Sequence, residues 1–165
     1  MENETLQNDI CCPEFKTEKW DKQIFNWDNK KFIKDSIKTF FHIPFPPMIG
    51  KKITRMWKSI ESINAADSNK ENTLILFNDP SAFKSEIYIS VEKDVPLENN
   101  VTISGEFVSM VFDGGYNAIS KFIKEVDEYL VGINKKAKDY YIHYAYCPGC
   151  AKKYGHNYLI IFAKV

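Results

Sequence analysis

Two pairs of cysteines carry the sharpest chemical signal in the sequence. Cys147-Pro148-Gly149-Cys150 has Cys-Pro-x-Cys spacing, in which two thiols flank a turn and can grip one metal ion while turn amides point at the sulfurs. Cys11 and Cys12 lie at the other end of the chain. They supply the second half of a site, by themselves or one of them with His156, if the N-terminal segment packs beside the last hairpin. One structural Zn²⁺, closed to water by four ligands, is then the expected cofactor. A redox-active dithiol and plain reduced thiols are the other readings of the same spacing.

Two side chains are candidates for proton transfer. His143, in the run YYIHYAY, can act as general base if its imidazole faces a pocket; a satisfied sheet histidine is the plainer reading. Glu86 precedes Ile87-Tyr88-Ile89, and a carboxyl beside apolar walls has its pKa raised and can donate a proton; a solvated glutamate at a strand start is the alternative. The expected aromatic walls for a ligand are Trp57, Tyr88, Phe107, Phe112, Tyr116, Tyr141 and Tyr144, part of which must serve the core. His42 reads as packing. Trp20 and Trp27 read as a cover over the sheet edge or as a lid.

Other chemistries are excluded by their missing motifs. The chain has no G-x-S-x-G elbow, no H-E-x-x-H, no G-x-x-x-x-G-K and no G-x-G-x-x-G. The 22 basic and 22 acidic residues cancel, so no overall field draws the chain to nucleic acid or anionic lipid. Arg55 is the only arginine, which removes the guanidinium fork that reads guanine edges and phosphates. The opening MENETLQNDI has neither a basic n-region nor an apolar h-region, and no apolar run approaches membrane-spanning length. A soluble, cytoplasmic protein with reduced cysteines is expected, with no nucleic-acid or membrane partner.

The elements that must position these residues repeat. At 165 residues and 44% hydrophobic composition the chain suits one domain with a sizeable core. Residues 31–43 are β-branched and aromatic and stop at Pro44, Pro46 and Pro47. Ile49, Ile53, Met56, Trp57, Ile60 and Ile63 then recur at helical spacing. TLILFNDP and EIYISVEKDV read as a hairpin. The same order returns in VTISGEFVSMVF, in a helix marked by Ile119, Phe122, Ile123, Val126, Tyr129 and Leu130, and in the strands YYIHYAY and NYLIIFAKV. The expected fold is α+β: duplicated β-α-β-β units in a curved antiparallel sheet, with two helices on one face and a pocket on the other. Residues 1–29 form an extension packing on a single domain, 30–165, whose repeats are 30–95 and 101–165.

The segment SEIYISVEKDVP followed by SGEFVSMVFDGGYNAISKFIKEVDEYL resembles GyrI-like proteins and the effector-binding domains of multidrug-sensing regulators, on the positions of Tyr88, Val91, Gly114, Gly115, Tyr116, Tyr129 and Leu130. The likeness covers roughly residues 30–165. CCPEF together with CPGCAKKYGHNY is similar to small stand-alone bacterial proteins labelled hydrolases. The resemblance implies a concave pocket between the repeats, lined by aromatics and often one acidic side chain, that receives bulky hydrophobic or cationic molecules. Some members hydrolyse reactive small molecules. The family often places a glutamate two residues before a tyrosine on the penultimate strand; here the run is Ile142-His143-Tyr144, a departure that argues against a cationic ligand. The expectation is a small-molecule binder for a hydrophobic or aromatic compound, with hydrolysis as a subordinate activity. A protein-interaction module of the gyrase-shielding kind, its partner unidentified, and a zinc or redox cysteine protein without catalysis are the alternatives.

Overall fold

The structure, a computed structural model, describes residues 12–44 and 46–165. It is a mixed α and β chain in which every assigned strand pairing within a unit is antiparallel, and it divides into two compact units. One comprises residues 26–105. The other joins the chain up to Phe25 to residues 106–165. No described helix is long and apolar enough to cross a membrane.

The unit of residues 26–105 is built on β1 (Gln23–Phe40, most of which belongs to it), β2 (Ile43–Pro44), β3 (Ile75–Ser81) and β4 (Lys84–Ser90), in the order β2-β1-β4-β3. The helix α1 (Pro46–Ser62) covers one face. Strand residues two apart share a face, so Ile33 and Ile37 of β1 and Ile87 and Ile89 of β4 meet Met56 and Ile60 of α1 in one buried cluster. The six apolar positions read at helical spacing all join that cluster. Met56 and Ile60 are fully buried, and truncating either to alanine is worth ~2–5 kcal/mol. The strand β1 begins eight residues before its expected start, and Asn29, with φ 51°, breaks its regularity early on.

The second unit pairs β5 (Asn99–Asp113), β6 (Asp139–Tyr144) and β7 (Tyr158–Lys164) in the order β6-β7-β5. The helix α2 (Ile119–Gly132) buries Phe122, Val126 and Leu130, four residues apart, on Val108, Met110, Phe112, Leu159, Ile161 and Ala163. A Cβ at Gly114 would stand 2.8 Å from Cζ of Phe122, so a larger residue there would push that ring aside. The Cys-Pro-Gly-Cys stretch is not a simple turn between strands. It opens a short helix, α3 (Pro148–Tyr154), with Cys147 as N-cap and Pro148 in the first helical turn; Gly155, at φ 73°, closes it.

The N-terminal segment packs on this second unit, against the sheet face opposite α2. Trp20 lies edge-on to Phe162 at 6.0 Å and near Phe25 at 5.4 Å. The buried Ser109 hydroxyl donates to the Trp20 carbonyl, and the Val111 amide donates to Asp21 Oδ1 at 3.0 Å. Trp20 is therefore a cover for the sheet. Trp27 is a strand residue of β1 instead, 6.0 Å from the ring of Phe32.

Candidate functional site

Strand parity sorts the expected wall residues. In the second unit Phe112 and Tyr144 turn toward α2: Phe112 stacks on Phe122 at 4.5 Å, and Tyr144 meets the exposed Tyr116 at 5.1 Å. Phe107, Tyr141 and His143 share the opposite face, where the fully buried Phe107 lies edge-on to Tyr141 at 6.0 Å and His143 is half-buried. In the other unit Trp57 is half-buried on α1, against the helix-covered core, its indole N–H donating to Glu61 Oε1 at 2.7 Å.

Tyr88 and Glu86 occupy the face turned away from α1. The Tyr88 hydroxyl donates to Glu86 Oε2, and the Tyr88 ring meets the buried Phe32 edge-on at 6.2 Å. Lys34 lies on the same face. Its Nζ is 3.0 Å from Glu86 Oε2 and 5.5 Å from the centre of the Tyr88 ring, and Lys84 approaches Glu86 Oε1 to 3.7 Å. Burial works to raise the pKa of Glu86, but the Tyr88 hydrogen bond and the two lysines outweigh it and hold the carboxyl below its ordinary range. Glu86 is thus a compensated carboxylate and not the protonated acid that apolar surroundings alone would make it. The sequence reading did not find Lys34; its place two residues from Phe32 and Ser36 on an alternating strand was the available signal.

A cavity of about 420 Å³ in the same unit is lined by Lys34, Lys84, Asp35, Arg55 and Glu98, among others. The single guanidinium is engaged on both sides, 2.7 Å from Glu98 Oε1 and 2.7 Å from Asp35 Oδ2, and Lys52 adds a contact of 3.2 Å to Asp35. Asp35 is held below its ordinary range by these partners and the Ser36 amide, against the upward push of burial.

The cysteines converge. The Sγ atoms of Cys12, Cys147 and Cys150 all lie within 4.8 Å of one another, an arrangement compatible with a metal site; Cys11 lies outside the described residues. The backbone amide of Cys147 donates to Cys12 Sγ at 3.4 Å. His156 has a different partner: its Nδ1 is 2.8 Å from Asp113 Oδ2, and its ring stacks on Tyr158 at 4.7 Å. The histidine and the Asn157 amide hold the Asp113 carboxyl below its ordinary range, against the opposing effect of burial. A shallow cavity of about 380 Å³ opens beside this pair, next to Lys152. The sequence reading missed the pairing, which joins the last residue of β5 to the loop before β7.

The family described as bacterial hydrolase matches residues 2–165. This chain belongs to that family. No curated protein matches it by sequence. Among solved structures it is similar to a hydrolase from Listeria innocua, at 10% identity with 97% of this chain and 96% of that one covered and a TM-score of 0.59. A second Listeria innocua hydrolase has 10% identity, 88% and 92% coverage and a TM-score of 0.59. SAV2435, in a structure bound to tetraphenylphosphonium, has 11% identity, 87% and 92% coverage and a TM-score of 0.52. At these identities the likeness is one of fold.

Proposed function

We propose that the protein is a GyrI-like receptor for a bulky apolar or aromatic molecule and that it hydrolyses reactive members of that class. The two β-α-β-β runs are, on this reading, copies of one unit, since the first strand pairs with the third in both β1-β4-β3 and β5-β7-β6. The observation that carries the proposal is that, in each unit, the strand face turned away from the helix carries both a polar group and aromatic rings. Glu86 lies with Phe32 and Tyr88 in one unit, and His143 with Phe107 and Tyr141 in the other. Of these rings Phe32, Tyr88 and Phe107 are packed inside and Tyr141 is half-buried, so a ligand would meet Tyr141 together with the polar groups, Glu86 and its Lys34 partner among them. The tetraphenylphosphonium held by SAV2435, a protein of the same fold, supports an aromatic ligand. Because Lys34 already neutralises Glu86, an uncharged aromatic should bind more tightly than a cation of the same shape.

For hydrolysis, His143 is the proposed general base. Water oxygen bonds to an electrophilic carbon of the ligand, the imidazole takes the water proton, and the leaving group departs with the electron pair. A second reading places the base at His156, and one observation favours it: Asp113 at Nδ1 fixes the ring and leaves Nε2 for a water, the base-and-orienter geometry of hydrolases.

Thermal shift and tryptophan quenching with a panel of neutral and cationic aromatics, followed by hydrolysis of activated aromatic esters, test the proposal. His143→Ala should abolish turnover and keep affinity, while His156→Ala should leave both unchanged. The reverse outcome transfers the base to His156. Flat responses across the panel would remove the receptor reading itself.

A further inference from the structure

We propose that Cys12, Cys147 and Cys150 bind one Zn²⁺ ion as thiolates and that the metal staples the N-terminal segment to the connection between β6 and β7. The proposal is independent of the small-molecule reading.

Tetrahedral zinc takes sulfur at about 2.3 Å, which places bound sulfurs about 3.8 Å from one another. Three Sγ atoms already within 4.8 Å of one another need only small side-chain rotations to reach that spacing. A redox dithiol uses two sulfurs. Here a third arrives from the opposite end of the sequence, 135 residues away, and the amide of Cys147 is directed at its sulfur. Amide donors of this kind stabilise the charge on a metal-bound thiolate and orient it.

The arms that bring the sulfurs together are held without the metal. The Phe15 amide donates to the Tyr146 hydroxyl at 2.8 Å, the Tyr154 hydroxyl donates to the Cys12 carbonyl at 3.2 Å, and the rings of Tyr146 and Tyr154 stack at 4.7 Å. The ligands are therefore pre-positioned, and little ordering entropy opposes binding. Three soft sulfur donors favour zinc over magnesium or calcium. Cys150 is buried and Cys12 and Cys147 are half-buried, and their three sulfurs fill three of the four positions of a tetrahedral ion. His156, committed to Asp113, is not among the ligands.

The full chain, purified reduced and without chelator, is tested by metal analysis, by Co²⁺ substitution and by thiol titration with and without EDTA. Expected are one equivalent of zinc, a near-ultraviolet thiolate-to-cobalt charge-transfer band, and three thiols that react only after chelation. EDTA should lower the melting temperature. Cys12→Ser, Cys147→Ser and Cys150→Ser should each weaken zinc binding at least tenfold. If a variant fails to fold, the cobalt band and thiol protection of the wild type still decide the matter. Less than about 0.2 equivalents of zinc with all thiols reactive overturns the site. So does zinc retained undiminished in folded Cys12→Ser, or a Cys147–Cys150 disulfide in the non-reduced mass.

Discussion

Replacing Lys34 by methionine removes the ammonium 3.0 Å from Glu86 Oε2 and keeps an unbranched apolar side chain beside Tyr88. The side chain of Glu86 is 13% exposed and that of Lys34 29%, so the pair falls between surface ion pairs, worth ~0.2–1 kcal/mol, and fully buried ones, whose rupture costs ~3–5 kcal/mol. The Tyr88 hydroxyl and Lys84 remain on the carboxylate, which limits the loss to about 1–2 kcal/mol. In a chain of this length the melting temperature should fall by about 2–8 °C. The pH dependence identifies the cause. Glu86 has a lowered pKa in the folded protein, so its contribution is complete above the ordinary glutamate value and is lost as pH falls through the lowered one. The difference between wild type and Lys34→Met should therefore be full at neutral pH and vanish in acid. Urea denaturation of both proteins, with Glu86→Gln and the double variant closing the cycle, measures the coupling. The carboxylate, now less fully compensated, should also raise affinity for tetraphenylphosphonium about tenfold, ~1.4 kcal/mol. Equal stability at neutral pH, or a difference that persists in acid, would refute the electrostatic assignment.

Ser109→Ala removes a buried donor from the Trp20 carbonyl and should destabilise the protein by about 1–3 kcal/mol in urea denaturation, with faster proteolysis ahead of Phe25; unchanged cleavage would separate the segment from that bond. The Asp113 carboxyl should titrate below the ordinary aspartate range by NMR and move up in His156→Ala, because its main stabilising partner is then gone; an unmoved midpoint would break the pairing. The stability carried by Asp113 is present above the ordinary aspartate value and is lost as pH falls through the lowered one.

Much of the fold was legible because apolar spacing is strict where one face is buried. The Ile49, Ile53, Met56 and Ile60 series gave α1, and the alternation in TLILFNDP and EIYISVEKDV gave the β3–β4 hairpin. The early start of β1 was obscured by Asn29, whose positive φ interrupts the alternation, although Phe25 and Trp27 already keep period two. The helix α3 was concealed by Pro-Gly, which reads as a turn; proline at the start and Gly155 at the end were its signals. The expected aromatic residues divide between two faces for a reason the sequence contains. Phe107 and Phe112 are an odd number of residues apart on one strand, as are Tyr141 and Tyr144, so neither pair can share a face. The meeting of Cys12 with Cys147 and Cys150 depends on where an irregular segment runs, which no local periodicity records.

Titration of the protein with tetraphenylphosphonium and with an uncharged bulky aromatic, followed by tryptophan fluorescence in wild type, Tyr88→Leu and Tyr141→Leu, tests the receptor claim most directly. Saturable one-to-one binding that is tighter for the uncharged compound and weakened at least tenfold by one of the two substitutions is predicted. Non-saturating response, or saturable binding that both substitutions leave untouched, would contradict the account.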